Sequence, residues 1–405
     1  MTVGRPFLQI PGPTNVPDRV LRAMDRPVID HRAPEFATLT KELLPKLRRV
    51  FGTLEGAVVL YPSSGTGASE AALVNVLRAG DRVLSFSHGH FSNGLGQIAR
   101  HLGFDVDEVQ VPWGQTISPS EVEDRLTADV GPNRYQAILV VHNETSTGVV
   151  SDVGGIRGAM DSAGHEGLLI VDAVSSLGSM PVLFDEWRVD VCVAGSQKGL
   201  MLPPGLGIVC AGPRAVAVSE QGGSPRHFFD WRPILRDNAA GFFPYTPATL
   251  LLFGLREAME MLVDEEGLDE VFARHERLAS GVRAAVSAWP LPTQCEDPAS
   301  ASATLTAVVV PADLDSSEVV AVARERYGLG LGIGLGQLRG QVFRIGHLGA
   351  LNELEVLATI AGTEMALAEL GCELVIGSGV AASQQHFLAD RVGRRSVPQA
   401  SLTPA

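Results

Sequence analysis

Between residues 57 and 210, short strand-like runs alternate with helical stretches, and this alternation constrains the chain more than any other feature. The runs fall at 57–60, 82–86, 137–141, 168–172 and 189–194. Short apolar runs bounded by Gly, Pro or Asp read as strands buried on both faces. Strands that alternate with helices predict an α/β domain with a mostly parallel sheet. In such sheets, ligands sit beyond the carboxyl ends of the strands. Two chemistry-bearing residues fall there. Run 168–172 ends on Asp172, and run 189–194 leads through Gly195-Ser196-Gln197 to Lys198.

Each residue alone has an ordinary reading. An Asp at a strand end is commonly a turn or helix cap, and a Lys after Ser-Gln is commonly solvated. The pair is more telling, because Lys198 lies between a strand-like run and Met201-Leu202-Pro203-Pro204-Gly205, which is not a surface helix pattern. The chemistry that needs both is that of pyridoxal phosphate. A lysine amine condenses with its aldehyde, and a carboxylate keeps its ring nitrogen protonated so that the ring withdraws electrons.

The stretch from Val171-Asp172-Ala173-Val174-Ser175-Ser176-Leu177-Gly178, through Gly195-Ser196-Gln197-Lys198-Gly199, to Pro203-Pro204-Gly205 closely resembles the class V, fold-type I aminotransferases. The nearest group is the serine–, alanine– and aspartate–glyoxylate aminotransferases, and the resemblance runs from Ile10-Pro11-Gly12-Pro13-Thr14 to about Gly379. It implies an α/β fold: an extended segment, 1–20, over the active site; a large cofactor domain, 21–262, with a mostly parallel seven-stranded-type sheet; and a smaller α+β domain, 263–385. The tail, 386–405, has no apolar period and is expected to be disordered.

The site can be placed residue by residue. Pro62-Ser63-Ser64-Gly65-Thr66-Gly67 lies between a strand and a helix expected at 71–78. Free amides and hydroxyls at such a junction suit a phosphate, although any Thr-capped helix looks similar. The resemblance assigns Ser64, Gly65, Thr66 and Gln197 to the cofactor phosphate, and stacks Phe91 on the ring where many relatives carry Trp. It puts the hydroxyl of Thr145 near the cofactor, Val174 under the ring, and Gly12 beside the substrate. It also carries Thr246 across a dimer interface to the partner's phosphate. The relatives' phosphate-binding Tyr is Phe243 here, with Tyr245 the nearest phenol. Arg344 stands in the otherwise apolar Val342-Phe343-Arg344-Ile345. A buried arginine requires an anion: either a structural carboxylate or, as the resemblance implies, the substrate α-carboxylate, which its fork can bind in bidentate fashion.

A net charge of −14 argues against nucleic acid as a partner. No apolar stretch reaches the roughly 18 to 20 residues of a membrane helix, and Met1–Gln9 has no signal-peptide core. The four cysteines are scattered, and His88 with His90 lacks a third ligand, so no metal is expected. A cytoplasmic location and a homodimer or tetramer are expected. The glycine run 328–336 fits no dinucleotide fingerprint and reads as a flexible loop near a ligand. Segment 222–247 reads as a long functional loop. The resulting expectation is transamination from a small L-amino acid to glyoxylate, with serine as first donor and aspartate or alanine as alternatives. A lyase or desulfurase using Cys295 and a non-catalytic binding protein are the rivals.

Overall fold

The computed structural model of the chain describes residues 7–395. Its larger sheet has seven strands, in the order Ala57–Pro62, Leu206–Ala211, Val191–Gly195, Leu168–Asp172, Ala137–Val141, Arg82–Ser87, Asp105–Gln110. Leu206–Ala211 runs antiparallel to both of its neighbours; every other adjacent pair is parallel. The pleat sorts side chains onto two faces. Ile138, Val140, Leu169, Val171, Cys192 and Ala194 pack toward helix Pro34–Phe51. Their alternates, Leu139, Ile170, Val191 and Val193, pack toward helices Gly65–Val76 and His90–His101. Burying each such side chain contributes about 1.5–3 kcal/mol, so coverage of both faces explains why the central strands read as unbroken apolar runs.

A second sheet follows the order Phe7–Gln9, Leu329–Ile333, Val342–Gly346, Leu305–Val309. Helices Leu268–Ser287, Ser316–Tyr327 and Glu353–Glu369 cover it through Val282, Val319, Ile360 and Leu367. Between the two sheets' helices, Thr249–Met259 passes into a π-helical turn, Glu260–Glu266, which Gly267 ends at φ 83°. The expected boundary at 262/263 falls in that turn.

Several expectations change. The glycine run is not a loop: Leu329–Ile333 is a strand, paired in parallel with Phe7–Gln9 and antiparallel with Val342–Gly346. Gly332 is demanded by close packing, since a Cβ there would lie 2.8 Å from Pro11 Cδ. The N-terminal segment accordingly starts as a sheet strand, and helix Asp18–Met24 begins before residue 20. Segment 222–247 contains a helix, Trp231–Ala240, capped by Asp230 and anchored by a fully buried Trp231. The tail expected from residue 386 overlaps a helix. Helix Ser378–Arg395 runs through its first ten positions and buries Phe387 against Gly281, where a Cβ would come within 2.2 Å of the ring. Residues 396–405 lie outside the described residues.

Candidate active site

The strand register brings Asp172 and Lys198 together. Leu168–Asp172 and Val191–Gly195 are adjacent and parallel, with Asp172 opposite Val193, so the strand ends and the turn after Gly195 share one edge of the sheet. A cavity of about 460 Å³ opens there. It is lined by Gly12, Ser64, Gly65, Thr66, Phe91, Thr145, Asp172, Val174, Gln197 and Lys198, all expected from the sequence.

Helix Gly65–Val76 begins at Gly65 rather than near residue 71, so Gly65 and Thr66 are its first residues and Ser64 is its N-cap, accepting from Gly67 N at 3.3 Å. The Gly65 and Thr66 amides make no hydrogen bond among the described residues. The start of the helix therefore offers unpaired N–H groups and the positive end of its dipole to an anion. The cradle is tight: a Cβ at Gly65 would lie 2.6 Å from Val174 Cγ2. The amide oxygen of Gln197 is buried without a partner on the same cavity. These features fit a phosphorylated ring lying on Val174.

Asp172 is half-buried, and its Oδ1 accepts from Val174 N at 2.8 Å. Desolvation pushes its carboxyl up to about 6, and nearby Glu144 adds to the rise, against the pull of the Val174 amide and of Lys198. A cation against Asp172 would relieve that cost, as a protonated ring nitrogen does. Burial, reinforced by the charge of Arg344 and opposed by Asp172, lowers the Lys198 amine to about 8. Lys198 Nζ donates to Pro11 O.

Glu144 is wholly buried. Its Oε2 accepts from Phe91 N (3.0 Å) and Ser92 N (2.8 Å), and its Oε1 from Ser146 N (2.9 Å) and Ser146 Oγ (2.7 Å). It therefore caps helix His90–His101 from another strand and fixes where Phe91 stands. The sequence gives Glu144 a structural part; the aim of that part at Phe91 was not foreseen. The one available signal is a carboxylate three residues past a buried strand. His90 and Asn143 also line the cavity without having been expected. His88, by contrast, turns inward, with Nε2 3.4 Å from Ser151 Oγ.

Two expected residues lie off the cavity lining. Arg344 is 7% exposed, with Nη1 donating to Thr145 O at 2.8 Å and Nε to Ile333 O at 2.9 Å. It has no ion pair with a carboxylate among the described residues. Burial lowers its guanidinium to about 10, with Glu144 opposing. Thr246 is exposed. Tyr245 donates its hydroxyl to Leu60 O at 2.6 Å, and Phe243 is buried edge-on against Phe36, so within its own chain neither replaces the relatives' phenol at the phosphate.

Residues 7–336 match the aminotransferase class-V family. The serine–glyoxylate aminotransferase of Methylorubrum extorquens is 48% identical over 95% of this chain and 96% of its own. The L-aspartate–glyoxylate aminotransferase of Paracoccus denitrificans is 46% identical over 96% and 97%. Among solved structures, ureidoglycine–glyoxylate aminotransferase from Bacillus subtilis superposes with a TM-score of 0.88 at 27% identity, covering 96% of this chain and 99% of that one. The chain belongs to the class V aminotransferases, enzymes of fold type I that work with pyridoxal phosphate. It is accordingly an aminotransferase.

Proposed function

We propose that the protein moves the amino group of a small L-amino acid, serine first, to glyoxylate, giving glycine and a 2-keto acid, which is hydroxypyruvate when serine is the donor. The two relatives above support glyoxylate as acceptor and differ in donor, so aspartate is the second reading and alanine the third. Arg344 carries the substrate reading: it is a guanidinium in a buried strand, with no ion pair to a carboxylate among the described residues, beside the segment that carries Thr145.

When bound, pyridoxal phosphate supplies an aldehyde that condenses with amines and a ring that draws electrons from the substrate's Cα. The chain does the rest. The amides of Gly65 and Thr66, with Ser64 and Gln197, hold the phosphate. Val174 and Phe91 would enclose the ring, Thr145 would offer it a hydroxyl, and Asp172 would keep its nitrogen protonated. Arg344 and the backbone at Gly12 hold the donor's α-carboxylate. Lys198 Nζ takes the proton from the donor's Cα, a task suited to an amine lowered to about 8.

A homodimer is part of the proposal, because Thr246 is exposed and lies off its own chain's cavity, as suits a residue that serves a partner's phosphate. A cytoplasmic location accords with four free cysteines. Cys295 gives the desulfurase reading little support: burial raises its thiol, and it lines a different cavity, with Arg283 and Thr306.

The test is product analysis with each donor. Glycine and hydroxypyruvate should appear in equal amounts from serine and glyoxylate. Sulfide released from cysteine without any keto acid would sink the proposal in favour of the desulfurase.

A further inference from the structure

Residues 10–14 cross the site between the four-stranded sheet and the Lys198 turn, and both sides grip them. On the sheet side the contacts are glycines. A Cβ at Gly346 would lie 2.2 Å from Ile10 O and 2.8 Å from Pro11 N; one at Gly332 would lie 2.8 Å from Pro11 Cδ and 3.1 Å from Arg344 Cβ. Neither glycine has positive φ, so lack of space, not backbone conformation, requires it. On the lysine side, a Cβ at Gly12 would lie 2.4 Å from Lys198 Cδ and 2.7 Å from Nζ. Thr14 N donates to Gln197 O at 3.1 Å, and Thr14 Oγ1 donates to Lys198 O at 3.2 Å. Between these anchors, Pro11 O accepts from Lys198 Nζ.

We propose that the 10–12 backbone is a positioning element for Lys198: the Pro11 carbonyl holds the amine whenever it is not otherwise engaged, and Gly332 and Gly346 set how deep that carbonyl sits. The proposal rests on the aminotransferase reading only for what the amine is used for. A carbonyl acceptor favours the charged ammonium and so opposes the burial and the Arg344 charge that favour the neutral amine. Gly332 touches both Pro11 and Arg344, so one small residue spaces the amine's holder from the carboxylate's.

The test uses the full-length protein stripped of cofactor with hydroxylamine. Brief acetylation by acetic anhydride across a pH series, read by mass spectrometry of the Lys198 peptide, gives that amine's own pH profile. In Gly332→Ala the added methyl displaces Pro11. Acetylation at pH 7 should rise roughly fivefold to tenfold, because losing one hydrogen bond to the charged form takes an amine of about 8 down to 7 or below, where most of it is neutral, with the profile shifted to lower pH. Pro11→Gly adds no atom and loosens the segment; it should move the profile the same way, and it decides the matter alone if Gly332→Ala does not fold. Gly330→Ala, on the same strand but facing the movable Leu8 Cδ1 at 3.3 Å, should leave the profile unchanged. Unshifted profiles in both Gly332→Ala and Pro11→Gly, or an equal shift in Gly330→Ala, overturn the proposal. Since no cofactor is present, the outcome is independent of whether any amino acid proves to be a donor.

Discussion

Lys198 and Asp172 are each held at a cost, and the cost is what prepares them. Desolvation lowers one and raises the other, so that both lie far nearer neutrality than they do in water. Asp172→Asn removes the negative charge proposed to face the ring nitrogen while keeping the shape. The visible absorbance of cofactor joined to Lys198 should survive, while bleaching by the donor slows on the order of 100-fold, as for loss of a preorganised charge partner; stopped-flow absorbance reads both. Arg344→Gln removes the clamp proposed for the donor's carboxylate. Hydrogen bonds to charged groups are worth about 1.5–3 kcal/mol, so the donor KM should rise on the order of 10- to 100-fold. The same change removes a cation that depresses Lys198, so the amine's titration should move upward. An unchanged donor KM would return Arg344 to a purely structural part.

At the scale of elements, the site depends on joints that the sequence states only in part. Glu144 ties the start of helix His90–His101 to the segment after Ala137–Val141 through two hydrogen bonds, from Phe91 N and Ser92 N, and two more from Ser146 hold its carboxylate in place. Glu144→Ala leaves these donors buried and unpaired, which should cost on the order of 3 kcal/mol. It should also weaken cofactor binding through misplacement of Phe91; thermal unfolding and cofactor titration measure the two losses. The central strands and the Asp172–Lys198 pair were legible because a strand buried on both faces must be apolar along its whole length, and a charge at its end then stands out. The glycine strand Leu329–Ile333 was not legible, because local propensity makes such a run a loop; what makes it a strand is the need for Pro11 and Arg344 to approach its backbone. Helix Ser378–Arg395 was missed for a similar reason. Its contacts, such as Phe387 on Gly281, lie with a distant helix and leave little periodic signal in a polar segment. Asp105–Gln110 was missed as well, being an edge strand with only Val109 fully buried.

For the whole molecule, the buried imidazoles set the response to acid. Burial lowers His142 to about 4, and burial plus neighbouring arginines lowers His275 and His347 to about 3. Unfolded imidazoles take up protons below about 6.5, so their contribution to stability is complete above that pH and is lost as pH falls toward 3. Asp172, raised to about 6, works the other way by one proton, stabilising the fold as pH falls from about 6 to 4. Three protons less one leave about two, and His88, which burial lowers too, adds to them, so stability should fall by at least about 3 kcal/mol per pH unit between pH 6 and 4. Urea midpoints across that range test this, and a flat profile would mean that these imidazoles are already charged in the fold. The central claim, that the two sheets assemble one site able to carry an amino group from donor to acceptor, is tested most directly by the visible spectrum of the purified protein. L-serine, L-aspartate and L-alanine are added in turn without acceptor, and glyoxylate follows. The account predicts a yellow band that one donor, serine first, bleaches and that glyoxylate restores. A band that no donor bleaches would contradict the transfer, and no band after pyridoxal phosphate is supplied would contradict the assignment of Lys198.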